Sequence, residues 1–103
     1  MEEFHVSNAM LFNPGNIYCT KSIQDLSEVM PEFWNFCTNS LLRHLRGDWG
    51  NLCPEDCVMN DNAVHSGERI LSSYSYPENS ELDIWIITEC DRSATTILFP
   101  SEY

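Results

Sequence analysis

Residues 68–99 read ERILSSYSYPENSELDIWIITECDRSATTILF, and this stretch decides the fold. Segments 68–75, 82–89 and 94–99 are rich in β-branched and aromatic side chains, and YPENS and CDRS between them are turn-forming clusters. They predict a three-stranded antiparallel meander. The middle segment puts Leu82, Ile84, Trp85, Ile86 and Ile87 on both faces of one strand, which predicts a central strand covered on both sides.

Upstream the apolar spacing lengthens. Ile23, Leu26, Met30, Phe33, Cys37, Leu41 and Leu45 recur every three or four residues, as one buried face of a helix requires. Pro31 interrupts this stripe, because proline lacks an amide donor and pushes Met30 out of the helical region. The stripe therefore predicts two helices, 22–30 and 31–45, with Pro31 in the first turn of the second. Ser22 with Asp25 three residues later reads as a capping box. Gly47-Asp48-Trp49-Gly50 stops the second helix in a loop. A third helix is expected over 54–66, with Pro54, Glu55 and Asp56 in its first turn and Gly67 just past its end. Before the first helix, Phe4, Val6, Met10, Leu11 and Phe12 form an apolar patch, a strand or docking segment, ahead of the Asn13-Pro14-Gly15 turn. The expected fold class is α+β: N-terminal helices packed on a C-terminal three-stranded antiparallel meander, in a single domain over 1–103.

Composition sets the partners. The 103 residues carry 16 acidic and 5 basic side chains, a formal net charge of −11. With 43% hydrophobic and 12% aromatic residues, the chain is no acidic disordered tail, whose defining lack is apolar side chains. A single-sign surface repels nucleic acid and attracts basic proteins, so direct nucleic-acid binding is not expected. No stretch has the length of a membrane span, the acidic MEEFHVSNAM start is unlike a signal peptide, and five irregularly spaced cysteines suit reduced thiols; the expected location is cytoplasmic.

His44, Cys53, Cys57 and His65 have zinc-ligand chemistry, but on one helix Cys57 and His65 would stand about 12 Å apart along the axis. Cys53 and Cys57 with His44 and a further group remain open as a metal set. Cys90 lies between Glu89 and Asp91, whose charges oppose thiolate formation. His44 with Asp48 offers an acid/base pair, although a histidine near a helix end is more often a cap. Arg92 either pairs with Asp48 or Asp91 to fix a polar turn, with Trp49 as core filler, or joins Trp49 in an exposed recognition patch. Walker A, dinucleotide and HExxH motifs are absent, and no cofactor is expected.

The segments HLRGDWGNLCPEDCVMNDNAV, GERILSSY and IWIITECDRSATTILFPSEY, within residues 44–103, resemble a family of small uncharacterised proteins carried on bacterial plasmids, phages and other mobile elements. The matching positions are His44, Gly47, Asp48, Trp49, Gly50, Glu55, Asn60, Trp85, Thr88, Glu89, Asp91, Arg92, Ser93, Thr95, Thr96 and Tyr103. Cys57 and Cys90 depart from the pattern, which weakens the zinc and thiol readings. The resemblance implies a mobile-element setting and points to no particular enzyme. Together with the charge it leads to an expected anti-defence inhibitor that presents carboxylates where phosphates would lie, against the basic groove of a CRISPR or restriction effector. The expected partner-binding residues are Glu55, Asp56, Asp61, Glu78, Glu81, Asp83, Glu89 and Asp91, with Trp49 as anchor. The alternative is a plasmid accessory or adaptor protein, or a small hydrolase, working through His44, Asp48 and Arg92.

Overall fold

A computed structural model describes residues 10–103; Phe4 and Val6 of the N-terminal patch lie outside the described residues. The element order is β1 (Asn16–Cys19), α1 (Lys21–Val29), α2 (Pro31–Leu45), α3 (Pro54–Ser66), β2 (Ile70–Tyr74), β3 (Ile84–Thr88) and β4 (Ala94–Leu98), with short 3-10 turns at Ser80–Leu82 and Pro100–Glu102.

The class is α+β, but the expected arrangement is corrected. The helices lie between strands, and the sheet is four-stranded and mixed, in the order β1-β4-β3-β2. β2, β3 and β4 pair antiparallel in sequence, while β1 adds in parallel to β4, with Asn16 opposite Ala94 and Cys19 opposite Ile97. Local pattern hides β1: it is four residues long, three of them exposed, and its partner is the last strand of the chain. The close approach requires Gly15, whose φ is +67° and at which a Cβ would strike the Ser93 carbonyl. The Asn16 amide then donates to the Ser93 carbonyl at 3.0 Å and the Thr20 amide to the Ile97 carbonyl at 3.1 Å.

The chain sweeps the sheet twice. After β1, α1 packs over β4, α2 over β3 and α3 beside β2, and the meander then returns from β2 to β4. The first helix starts one residue earlier than expected. Its cap is Thr20, whose hydroxyl accepts from the Ile23 amide at 3.4 Å, whereas Asp25 pairs with Lys21 at 3.1 Å. Met30, extended at φ −141°, breaks the helix before Pro31, as a residue preceding proline must.

Ile84, Ile86 and Thr88 of β3 and Ile97 of β4 face the helices, where Ile23, Phe33 and Cys37 meet them. Fully burying one such aliphatic or aromatic side chain contributes about 1.5–3 kcal/mol. A second cluster joins Phe12, Leu45, Trp49, Ala63 and Ile70. On the far face Ile87 and Leu98 are also buried, and Trp85 meets the Tyr103 ring edge-on at 5.6 Å. Among the described residues no helix is long and apolar enough to cross a membrane.

Candidate functional site

α2 buries Phe33, Cys37, Ser40, His44 and Leu45, so its inward stripe ends on polar side chains. His44 is fully buried where the two apolar clusters meet, against Phe12 and Trp49. Its Nδ1 lies 2.6 Å from Ser72 Oγ and its Nε2 2.9 Å from Thr88 Oγ1. Thr88 Oγ1 lies 2.7 Å from Thr95 Oγ1, and the Thr95 hydroxyl donates to the Pro14 carbonyl at 2.7 Å. A carbonyl only accepts, which fixes every direction upstream of it. Thr95 accepts from Thr88, Thr88 accepts from His44 Nε2–H, and Nδ1 accepts from the Ser72 hydroxyl. Burial lowers the His44 pKa to about 3, so the ring is the neutral Nε2–H tautomer this chain requires.

Ser72 and His44 thus have the contact of a nucleophile and its base, yet both are completely buried. Attack on a substrate is closed to them. With both ring nitrogens occupied, His44 is also unavailable as a metal ligand. Cys57 is half-buried and donates its S–H to the Leu52 carbonyl at 3.7 Å, and Cys53 is exposed. Among the described residues no three His, Cys, Asp or Glu side chains converge on a point that could hold a metal ion.

His44, Asp48 and Arg92 do not form one site. Asp48 is held by Arg43, whose Nε donates to Oδ2 at 2.7 Å and whose second nitrogen donates to Oδ1 at 3.2 Å. That hydrogen bond holds the Asp48 carboxyl below its ordinary pKa. The expected pairing of Arg92 with Asp48 or Asp91 is corrected: its guanidinium donates to the carbonyls of Glu68 at 2.8 Å, Glu89 at 3.1 Å and Ala63 at 2.8 Å. Arg92 thereby ties the end of α3 and the start of β2 to the β3–β4 turn. Asp91 instead accepts from the Ser93 amide at 2.9 Å.

Trp49 is 4% exposed, so it belongs to the core and not to an exposed patch. Its indole N–H donates to Asp61 at 2.9 Å, and its backbone joins the sheet: the Trp49 carbonyl accepts from the Ser73 amide at 3.2 Å while the Asn51 amide donates to the Ser73 carbonyl at 2.7 Å. Gly50 between them has φ +76°, and a Cβ there would run into the Ser73 carbonyl oxygen. The GDWG loop is therefore a joint that covers the outer edge of β2.

Replacing Arg92 by alanine is expected to destabilise the protein by about 2 kcal/mol, since it removes charge-assisted bonds to three backbone carbonyls that join α3, the start of β2 and the β3–β4 turn. Asp48→Ala, which breaks a pair whose side chains are 48% and 52% exposed, should cost under about 1 kcal/mol. Chemical denaturation of both variants checks this order.

The eight candidate acids do not share one face. Asp83 precedes β3 and Glu89 follows it, six residues that at strand rise span about 20 Å. Glu78, Glu81 and Asp83 stand at one end of the sheet, Glu89 and Asp91 at the other, and Glu55 and Asp56 project from the first turn of α3. Glu55, Asp56, Glu78, Glu81 and Glu89 are exposed, whereas Asp61 is bound by Trp49 and Asp83 accepts from the Tyr76 amide at 2.9 Å. Not legible in the sequence were Ser72 and Thr88 as partners of His44, Thr95 behind Thr88, and Arg43 as partner of Asp48. Ser40 and His44 were within reach, because both lie on the helical stripe of Phe33 and Cys37.

No family model matches the chain, and neither a curated protein nor a solved structure matches it.

Proposed function

We propose that this protein is a stoichiometric inhibitor that occupies a basic, nucleic-acid-binding protein surface with its own carboxylates, in the cytoplasm of a cell where mobile elements meet a restriction or CRISPR effector. The observation that carries the reading is where the basic side chains go. Lys21 pairs with Asp25 and Arg43 with Asp48; Arg92 is bound to three backbone carbonyls; Arg69 donates to the Tyr103 hydroxyl and lies over its ring. Four of the five cations are engaged within the molecule, and among the described residues the exposed Glu55, Asp56, Glu78, Glu81 and Glu89 form no ion pair. Such a field attracts basic surfaces and repels nucleic acid. The placement of His44, Ser72 and Trp49 in the core favours occupancy over catalysis.

The test is capture of effectors from a host carrying restriction and CRISPR systems, with duplex DNA added as competitor. The expected result is a retained nucleic-acid-binding protein that the DNA displaces. A retained protein indifferent to DNA, or none at all, contradicts the reading.

A further inference from the structure

The acids are spread over the molecule, but at one place they border a groove that selects more than charge. Tyr76-Pro77-Glu78-Asn79 is a tight turn closed by the Asn79 amide on the Tyr76 carbonyl at 3.4 Å. Proline takes the second position, and Glu78 the third at φ +74°, a left-handed conformation that such turns normally give to glycine or asparagine. Against this turn α2 leaves a groove of about 410 Å³, with Phe36 and Tyr76 at its base, Glu32 and Glu78 at its rim, and Asn35 and Asn39 alongside. The Phe36 and Tyr76 rings meet edge-on at 5.0 Å and both pack on Phe33, so the base is seated against the core. Desolvation, then the charges of Glu32 and Glu78, raise the Tyr76 phenol pKa. The field that disfavours a phenolate there favours a cation.

We propose that this groove anchors an arginine side chain of the basic partner, with the guanidinium between Glu32 and Glu78 and its planar face and aliphatic stem on Phe36 and Tyr76. The proposal rests on the reading of the protein as a binder of basic surfaces and adds the place and the residue type. Charge complementarity identifies a cation, and the aromatic base distinguishes arginine from lysine. A guanidinium stacks on rings and meets carboxylates through a planar fork, while an ammonium is a strongly hydrated point charge. A metal ion does not fit, since no three ligating side chains converge among the described residues. The position of Glu78 agrees with an outward role: a strained carboxylate at the groove's lip contributes less to the fold than glycine would.

The test uses two synthetic peptides of equal charge, Gly-Arg-Gly-Arg-Gly and Gly-Lys-Gly-Lys-Gly, titrated into the isotopically labelled full chain at low salt. The arginine peptide is expected to bind several-fold more tightly and to shift the amide signals of Glu32, Phe36, Tyr76 and Glu78. The double variant Glu32→Gln/Glu78→Gln should weaken it roughly tenfold, the effect of two partly exposed ion pairs. The variant Glu55→Gln/Asp56→Asn should change it by less than about twofold, because its charges are not at the groove. Glu78→Gly should raise the melting temperature while weakening binding, an opposition that a purely structural role would not give. Equal affinity for the two peptides, shifts elsewhere, or no binding of either overturns the groove. The wider reading is judged separately, by the DNA-displaceable capture of a whole effector.

Discussion

Trp49→Ala is expected to cost about 3–5 kcal/mol, the range for truncating a buried aromatic, and to lower the melting temperature by roughly 15–30 °C at the sensitivity of a domain of this size. Trp49 lies between helix and sheet, stacked 6.3 Å from Phe12 and edge-on 5.8 Å from His44. Its loss opens a cavity there and leaves Asp61 without its donor. Against a typical total of about 5–15 kcal/mol, this is a large share of the stability. Trp49→Phe keeps most of the packing and removes only the indole donor, so it should cost about 1–2 kcal/mol. Thermal unfolding followed by circular dichroism separates the two. A fall under about 5 °C for the alanine variant would show that Trp49 is not a core residue.

The second large effect is acid sensitivity set by His44. An exposed histidine titrates near 6.5, whereas burial lowers this one to about 3. Between these values the unfolded chain binds a proton that the folded protein does not. Stability is therefore full above about pH 6.5 and falls as the pH drops, by about 1.4 kcal/mol per unit, until the folded-state pKa is reached. Asp48 and Asp91, held below their ordinary carboxylate values, act in the same direction only at lower pH, where the unfolded carboxyls begin to protonate. The interval from pH 6.5 to about 4.5 thus reports mainly on His44. His44→Gln, which offers a donor and an acceptor but does not titrate, should be less stable at pH 7 and should lose this slope. Denaturant unfolding of both proteins at pH 7 and pH 4.5 measures it; parallel losses would place the acid sensitivity elsewhere.

What the sequence disclosed follows the range of the interactions. β2, β3 and β4 fall within the expected segments, and the helix breaks at Pro31 and Gly67 are where the residue types put them, because strand composition, proline geometry and a glycine cap act locally. β1 escaped because a four-residue exposed strand acquires its identity only from β4. His44 was seen and misread: a polar residue on an apolar stripe looks like a cap or a catalyst until Ser72 and Thr88 arrive from other strands. Arg92 was marked as special, but backbone carbonyls are its partners, and sequence does not show which carbonyls will be near. The acids fall in two stretches of the sequence, and only the topology places β3 between Asp83 and Glu89.

Several residues that stand out in the sequence are joints of the scaffold. Trp49 and Gly50 seat a loop on β2, Thr88 satisfies His44 and Thr95 in turn satisfies Thr88. The Asn60 side chain donates to the Leu71 carbonyl at 2.8 Å, clamping α3 to β2. Glu32 and Glu78, at the groove, lie outside that set.

The central claim is that carboxylates unopposed by cations bind a basic protein surface. Its most direct measurement is the affinity for a captured effector between about 50 and 500 mM salt, across which the Debye length shrinks from over 10 Å to under 5 Å. The expected loss of affinity is at least about tenfold, carried mainly by slower association, as for an electrostatically steered complex. An affinity unchanged over that range would contradict it.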